Sequence, residues 1–349
     1  MNANWRLLLH RASSTISLIA LAMTSAPPLH GQDAPDTTKH TVQFVSVEEN
    51  VKLEVLDWGG PGQPMIFLAG MGDTAHVFDK FAPIFTAKHH VYGITRRGFG
   101  ASSKPVPENG NYMSDRLGDD VLAIMNHLKI DRPILVGHSM AGEELSSIGS
   151  RFPEKVAGLI YLEAGYGEAY YDSSHGDMVV DMNDLKERID QLESGKVQDE
   201  KQFLLDLASS VSRFETSLDE GNKRMQSLHS PPPRPPIIAA ISYGAEKYTK
   251  IPVPVLAIFA VPRNWDRVDP AARAARVAAD LAFTSAQANA FEAGVPTARV
   301  VRLPNADHDI FISNEADVLR EMDDFQVVAA SPRAAREVGL SVNSPPGGA

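Results

Sequence analysis

The stretch Ile134-Leu-Val-Gly-His-Ser-Met-Ala-Gly142 constrains this chain more than any other. An apolar strand runs into a turn of small residues and then into a helix, with Ser139 at the apex. A sharp strand-to-helix turn holds its apical residue in a strained conformation, so close neighbours must be small, and Gly137, Ala141 and Gly142 are. The turn also puts the Ser139 hydroxyl at a helix N-terminus, where backbone N–H groups and the helix dipole favour developing negative charge. The pattern Gly-x-Ser-x-Ala fits equally a buried strand ending in a helix-capping serine, so Ser139 reads as a nucleophile only together with the rest of the chain.

That rest is a globular protein with an ample core: 349 residues, 43% hydrophobic and 22% charged. A formal net charge of -11 repels nucleic acid and anionic membrane surfaces, which leaves a small-molecule substrate as the expected partner. At the start, Arg6 and Arg11 precede the apolar run Ile16-Ser-Leu-Ile-Ala-Leu-Ala-Met23 and then small, turn-forming residues ending near Leu29-His-Gly31. This is the layout of a secretory signal over residues 1–31, and its apolar run is shorter than the roughly 20 residues of a bilayer span. A secreted or periplasmic protein with no stable membrane span after processing is expected. The chain has no cysteine, so neither a disulfide nor a cysteine-ligated metal can form. Residues 331–349, rich in proline and glycine, read as a flexible tail.

Val42 to Val47 and Val51 to Trp58 read as an antiparallel hairpin. Short apolar runs at Met65 to Ala69, Val91 to Ile94, Pro133 to Val136, Val156 to Leu162, Val253 to Phe259 and Ala298 to Leu303 then alternate with stretches of helical spacing. The helices are expected near Ala75 to Ala87, Met113 to Leu128, Met140 to Arg151, Pro270 to Ala293 and Ser313 to Ala329. This rhythm predicts an α/β fold, a mostly parallel sheet with helices on both faces. Between residues 165 and 250 it breaks down into a polar, partly helical insertion (Met182 to Leu192, Lys201 to Leu218) ending in Pro231-Pro-Pro-Arg-Pro-Pro236. An excursion of this length at the ligand-binding edge reads as a cap or lid after the sixth strand. Tyr161, Tyr166, Tyr170 and Tyr171 at its start are expected to pack the lid onto the sheet rather than to touch substrate.

Four motifs in order carry a family resemblance: Leu68-Ala-Gly-Met-Gly-Asp73, Thr95-Arg-Arg-Gly-Phe-Gly-Ala-Ser102, the turn around Ser139, and Asp307-His-Asp309 before the last helix. From about residue 41 to 330 the chain resembles the α/β-hydrolase fold superfamily, which implies a core over 41–164 and 251–330 with the insertion at 165–250 as cap. It resembles the serine hydrolase branch in particular. A serine hydroxyl is a poor nucleophile at neutral pH and needs a base; His308, in the loop after a strand and so at the same sheet edge, matches the family's catalytic histidine. The resemblance further implies an oxyanion hole made by the backbone N–H groups of Met71 and Met140. Ala69 departs from the family's usual histidine and removes a loop anchor. His138 is expected to point away from the nucleophile, and Glu143 and Glu144 are explained by compensation of the helix dipole.

The acid that orients the base is open. Most members carry an aspartate after the seventh strand, but Ile258-Phe-Ala-Val-Pro-Arg263 has arginine at that place. Glu163, ending the sixth strand, and Asp266, three residues beyond the usual position, are the two alternatives; Glu163 is preferred because a carboxylate at the end of an apolar strand needs a buried partner. No cofactor is expected, since no nucleotide fingerprint occurs, and no metal, since no ligand spacing is apparent. The expected activity is that of a carboxylesterase-like enzyme cleaving a small or medium ester or lactone through an acyl-enzyme. An aminopeptidase or amidase, a C–C bond hydrolase, or a catalytically weak ligand-binding member are the alternatives. Dehalogenase and epoxide hydrolase branches need aspartate at position 139.

Overall fold

Residues 39–225, 233–266 and 269–329 are described by a computed structural model. The expected signal at 1–31 and tail at 331–349 lie outside the described residues. One sheet holds eight strands in the order β1-β2-β4-β3-β5-β6-β7-β8. The strands are β1 (Thr41–Glu48), β2 (Val51–Gly59), β3 (Pro64–Leu68), β4 (His90–Ile94), β5 (Ile134–His138), β6 (Gly158–Leu162), β7 (Val255–Ala260) and β8 (Ala298–Leu303). β2 pairs antiparallel with β1 and β4, and β3 to β8 are parallel.

The apolar runs are continuous because both faces of the sheet are covered. Ile66, Leu135, Leu159 and Tyr161 enter one core with Val121 and Ile124 of α1 (Ser114–Leu128) and Leu145 and Ile148 of α2 (Ala141–Arg151). Their neighbours Phe67, Val136, Ile160 and Leu162 enter the other, with Phe78, Phe81, Phe85 and Phe311. Alternation along β3, β5 and β6 thus feeds two cores rather than a core and a wet face. The helix expected over Ala75 to Ala87 is instead two short 3-10 turns, Ala75–Phe78 and Ala82–Ala87. Pro83 explains the break, since it has no N–H for the helical hydrogen bond to residue 79.

Between β6 and β7 lie α3 (Met178–Glu193), α4 (Glu200–Met225) and α5 (Pro236–Ser242). α3 and α4 pack together, and Asp177 caps α3 by accepting from the Val179 and Val180 N–H groups at 2.9 and 3.1 Å. The short α5 had no clear periodic signal; Pro236 at its first turn begins it. It rests on the sheet edge, where Ile237, Ala240 and Ile241 meet Tyr112, Leu117, Phe99, Met71 and Met140. After β7 come α6 (Pro270–Gly294), the single turn α7 (Ile310–Ser313) and α8 (Glu315–Ala329). No helix among the described residues is long and apolar enough to cross a membrane.

Steric fit at the central turn is tight. A Cβ on Gly142 would lie 1.9 Å from the Ala164 carbonyl oxygen, and backbone cannot swing aside as a side chain does. Ala141 is accommodated, fully buried, so the stringent position of this turn is 142. Gly142→Ala is expected to destabilise by about 3 kcal/mol, the upper end of ordinary overpacking, read from the urea midpoint; a change below about 0.5 kcal/mol would show that β6 yields freely.

Candidate active site

Strand order brings the ends of β5, β6, β7 and β8 to one rim. Ser139, just past β5, has φ +53°, and Glu163, just past β6, has φ +50°. Two non-glycine residues in the left-handed region at the ends of neighbouring strands mark stored strain where side chains are being aimed. His308, in the loop after β8, reaches both: its Nε2 lies 2.8 Å from Ser139 Oγ and its Nδ1 3.2 Å from Glu163 Oε2. Ser139 is 6% exposed and Glu163 is fully buried. Asp266 is not part of this cluster; it is 81% exposed and pairs with Arg273 at 3.4 Å.

A buried carboxylate needs compensation, and Glu163 has a full set of donors. The Ala260 N–H donates to Oε1 at 2.5 Å, Arg263 donates to Oε2 from Nε at 3.1 Å and Nη2 at 2.9 Å, and the Tyr166 hydroxyl donates to Oε2. Burial by itself would raise the Glu163 pKa, but the Arg263 charge, followed by His308 and Tyr166, holds it down at about 2. Arg263 therefore stands where the aspartate was expected and serves the acid of the neighbouring strand. Arg263 in turn lies 3.6 Å from Asp280.

The sign of the linkage follows. A carboxyl whose folded pKa is depressed stabilises fully above its ordinary value, near 4.5, and loses that contribution as pH falls from there towards 2. Between pH 7 and pH 3, urea-unfolding stability is expected to fall more in the wild type than in a Glu163→Gln/Arg263→Gln double variant, which carries neither charge. Equal losses would assign the acid sensitivity to other carboxylates.

Four residues at this rim were not found from the sequence, or were read differently. Tyr166 was expected to pack a lid, but three residues after Glu163 it bonds that carboxylate, and the Arg263 side chain bonds its hydroxyl. Tyr161 belongs to β6 and bonds Ser146 within the core of the sheet, whereas Tyr171 packs with Val179 and Val180 of α3 and bonds Asp181. His138 does not simply point away; its Nε2–H donates to the His308 carbonyl at 3.1 Å, with the two rings 4.8 Å apart. Burial, then the nearby His308, lowers the His138 pKa to about 3, so it supports that loop as a neutral ring. Glu143 and Glu144 are buried rather than solvated dipole compensation. Glu143 accepts from Ser114 at 2.5 Å, and burial raises its pKa well above the ordinary value.

Glu144 completes a clamp on the glycine loop. Its two oxygens accept from Arg96 Nε at 2.5 Å and Nη2 at 2.9 Å. The same guanidinium donates to the Ala69 carbonyl at 2.8 Å and the Gly70 carbonyl at 3.2 Å. The anchor that Ala69 lacks is thus supplied from the loop after β4 and from α2. Neighbouring Arg97 forks onto Asp120 of α1, 2.6 Å at both nitrogens. Met71, next in the loop, and Met140, next to Ser139, pack with Phe99, Ile237 and Ala240 as a half-buried apolar layer over Tyr112, Leu117 and Ile241.

A family model described as "alpha/beta hydrolase fold" matches residues 63–315. Fluoroacetate dehalogenase of a Burkholderia species is 31% identical over 107 residues, which is 30% of this chain and 35% of that protein. 3-Oxoadipate enol-lactonase 2 of Acinetobacter baylyi is 33% identical over 124 residues, 35% of this chain and 45% of that one. The matches span less than half the length of either relative. A serine hydrolase involved in carbazole degradation shares the fold at a TM-score of 0.52 and 16% identity, over 83% of this chain and all of that one. An N-acyl homoserine lactone degrading enzyme does so at 0.50 and 19%, over 81% and 100%.

Proposed function

Because the chain belongs to the α/β-hydrolase fold family, we propose that it is a serine hydrolase that cleaves a small or medium carboxylic ester or lactone through an acyl-enzyme. The observation that carries this reading is the run of contacts from Ser139 Oγ to His308 Nε2 (2.8 Å) and from His308 Nδ1 to Glu163 (3.2 Å). Ser139 attacks the carbonyl carbon while His308 takes its proton. Glu163 orients the ring and stabilises the imidazolium, and His308 then protonates the leaving alcohol. Water, deprotonated by His308, releases the acid from Ser139. The oxyanion meets the N–H groups of Met71 in the glycine loop and of Met140 at the N-terminus of α2.

The apolar patch of Met71, Phe99, Met140, Ile237 and Ala240 favours an uncharged acyl or alkoxy group, with α5 and the helices before it as the cap. The enol-lactonase among the relatives acts on the same class of bond by its name. The dehalogenase name does not carry over, because displacing a halide takes a carboxylate nucleophile and position 139 is serine. Residues 1–31 support export of the mature enzyme.

Incubation with a fluorophosphonate, followed by mass mapping, is expected to give one adduct, on Ser139. A series of p-nitrophenyl esters should then show a burst of nitrophenol followed by slower turnover. Folded protein that neither labels nor turns over any ester, lactone or aminoacyl amide would instead be a ligand-binding member of the family.

The clamp makes its own prediction. An Arg96→Gln/Glu144→Gln double variant, which strands no buried charge, is expected to lower kcat by about 10²-fold with little change in KM, as when one oxyanion donor is lost. A rise in KM at unchanged kcat would mean that the clamp shapes the pocket and not the oxyanion hole.

A further inference from the structure

A second constellation of titratable side chains shares no residue with the Ser139 site. It lies where the chain entering β1 meets the turn after the glycine loop. His40 is the residue before β1, His76 and Asp79 belong to the Ala75–Phe78 turn and its C-cap, and Glu54 comes from β2. His40 Nδ1 stands 3.4 Å from Asp79 Oδ1, and His76 Nδ1 stands 2.9 Å from Asp79 Oδ2. One ligand atom of each of His40, His76 and Asp79 lies within 4.8 Å of the others.

We propose that His40, His76 and Asp79 form a binding site for a divalent transition cation of the Zn²⁺ type. Two imidazoles and one carboxylate are a zinc-type donor set, whereas Mg²⁺ and Ca²⁺ take oxygen ligands. Tetrahedral bonds of about 2.0–2.2 Å set ligand atoms about 3.3–3.6 Å apart, and the His40–Asp79 separation of 3.4 Å matches. Asp79 Oδ1 is buried and accepts no hydrogen bond of good geometry, close as that imidazole nitrogen is. Two atoms that near and not aligned with each other are placed to face a common third centre.

The surroundings fit as well. On the far side of the His76 ring, Nε2 lies 3.7 Å from Glu54 Oε1, and Glu54 Oε2 accepts from Thr95 Oγ1 at 2.7 Å. A ligating histidine backed by an oriented carboxylate has its tautomer fixed and its basicity raised. His40 and Asp79 side chains are 3% and 16% exposed and His76 34%, so the cation enters past His76 and keeps a water there. A bound cation would tie the residue before β1 to the segment that continues the Leu68–Asp73 loop. This site stands independently of the hydrolase reading.

The test is binding of Zn²⁺ to protein treated with EDTA and desalted, by isothermal titration with metal content measured in parallel. One zinc per chain is expected, with a Tm that rises with zinc concentration. His76→Ala and Asp79→Asn are expected to abolish both effects, and Glu54→Gln to weaken binding about 10- to 100-fold. His175→Ala, an exposed surface histidine, should change neither. The proposal is overturned if the folded wild type takes up no zinc, which would leave His76 as a protonated bridge between Asp79 and Glu54. It is equally overturned if zinc binding survives both His76→Ala and Asp79→Asn.

Discussion

Ser139→Ala is expected to lower kcat by about 10⁵- to 10⁶-fold, some 7–8 kcal/mol of barrier, because nucleophilic attack and everything after it run through this oxygen. The substitution removes one atom from a residue that is 6% exposed, and alanine is no less able than serine to hold φ +53°, so fold and substrate affinity should persist. Steady-state ester hydrolysis and fluorophosphonate labelling measure the effect together. Labelling should vanish and KM should stay within a few-fold. A variant that kept even a tenth of wild-type kcat would show water attacking directly with His308 as its base, and the acyl-enzyme would have to be abandoned.

The second large effect concerns the acid. Glu163→Gln should cost about 10⁴-fold in kcat, since an amide can neither hold the imidazole in the required tautomer nor balance its charge. It should also cost stability, because Arg263 loses the carboxylate it forks onto and keeps only Asp280 at 3.6 Å, and breaking a buried pair costs up to about 3–5 kcal/mol. The two losses are separable. In a Glu163→Gln/Arg263→Gln/Asp280→Asn triple variant, which removes all three charges of the cluster, urea unfolding should recover most of the stability while kcat remains down by about 10⁴-fold. Recovery of kcat alongside stability would reduce Glu163 to a structural anchor. An additional loss in Asp266→Asn is not expected, given its exposure and its pairing with Arg273.

Much of the fold was legible in the sequence for identifiable reasons. Phe67 and Ile66, or Val136 and Leu135, face opposite cores, so continuous apolar runs marked strands covered on both sides. The helix expected over residues 75–87 gave way to two turns where Pro83 intervened, while the helices of the insertion ran past their expected bounds, to Met178–Glu193 and Glu200–Met225. At the site, small residues around Ser139 and the histidine late in the chain were visible because each demand is local. The sequence favoured Glu163 over Asp266 without deciding between them, and the Arg96–Glu144 clamp, the Tyr166 bond and the support of His308 by His138 were not visible in it. Arginine at 263 was the one available signal: its presence in place of the aspartate announced a rearranged acid without saying where.

Contiguous residues alone determined the strand-turn-helix at 134–142 and the two-sided sheet, since steric size and hydrophobic period act over a few residues. The partnership of Glu163 with Arg263, a hundred residues apart, was decided only by the tertiary structure. Pairing of β6 with β7 and of β7 with β8 sets the ends of three strands side by side. A charge buried there is stable only beside its countercharge, whatever their separation along the chain.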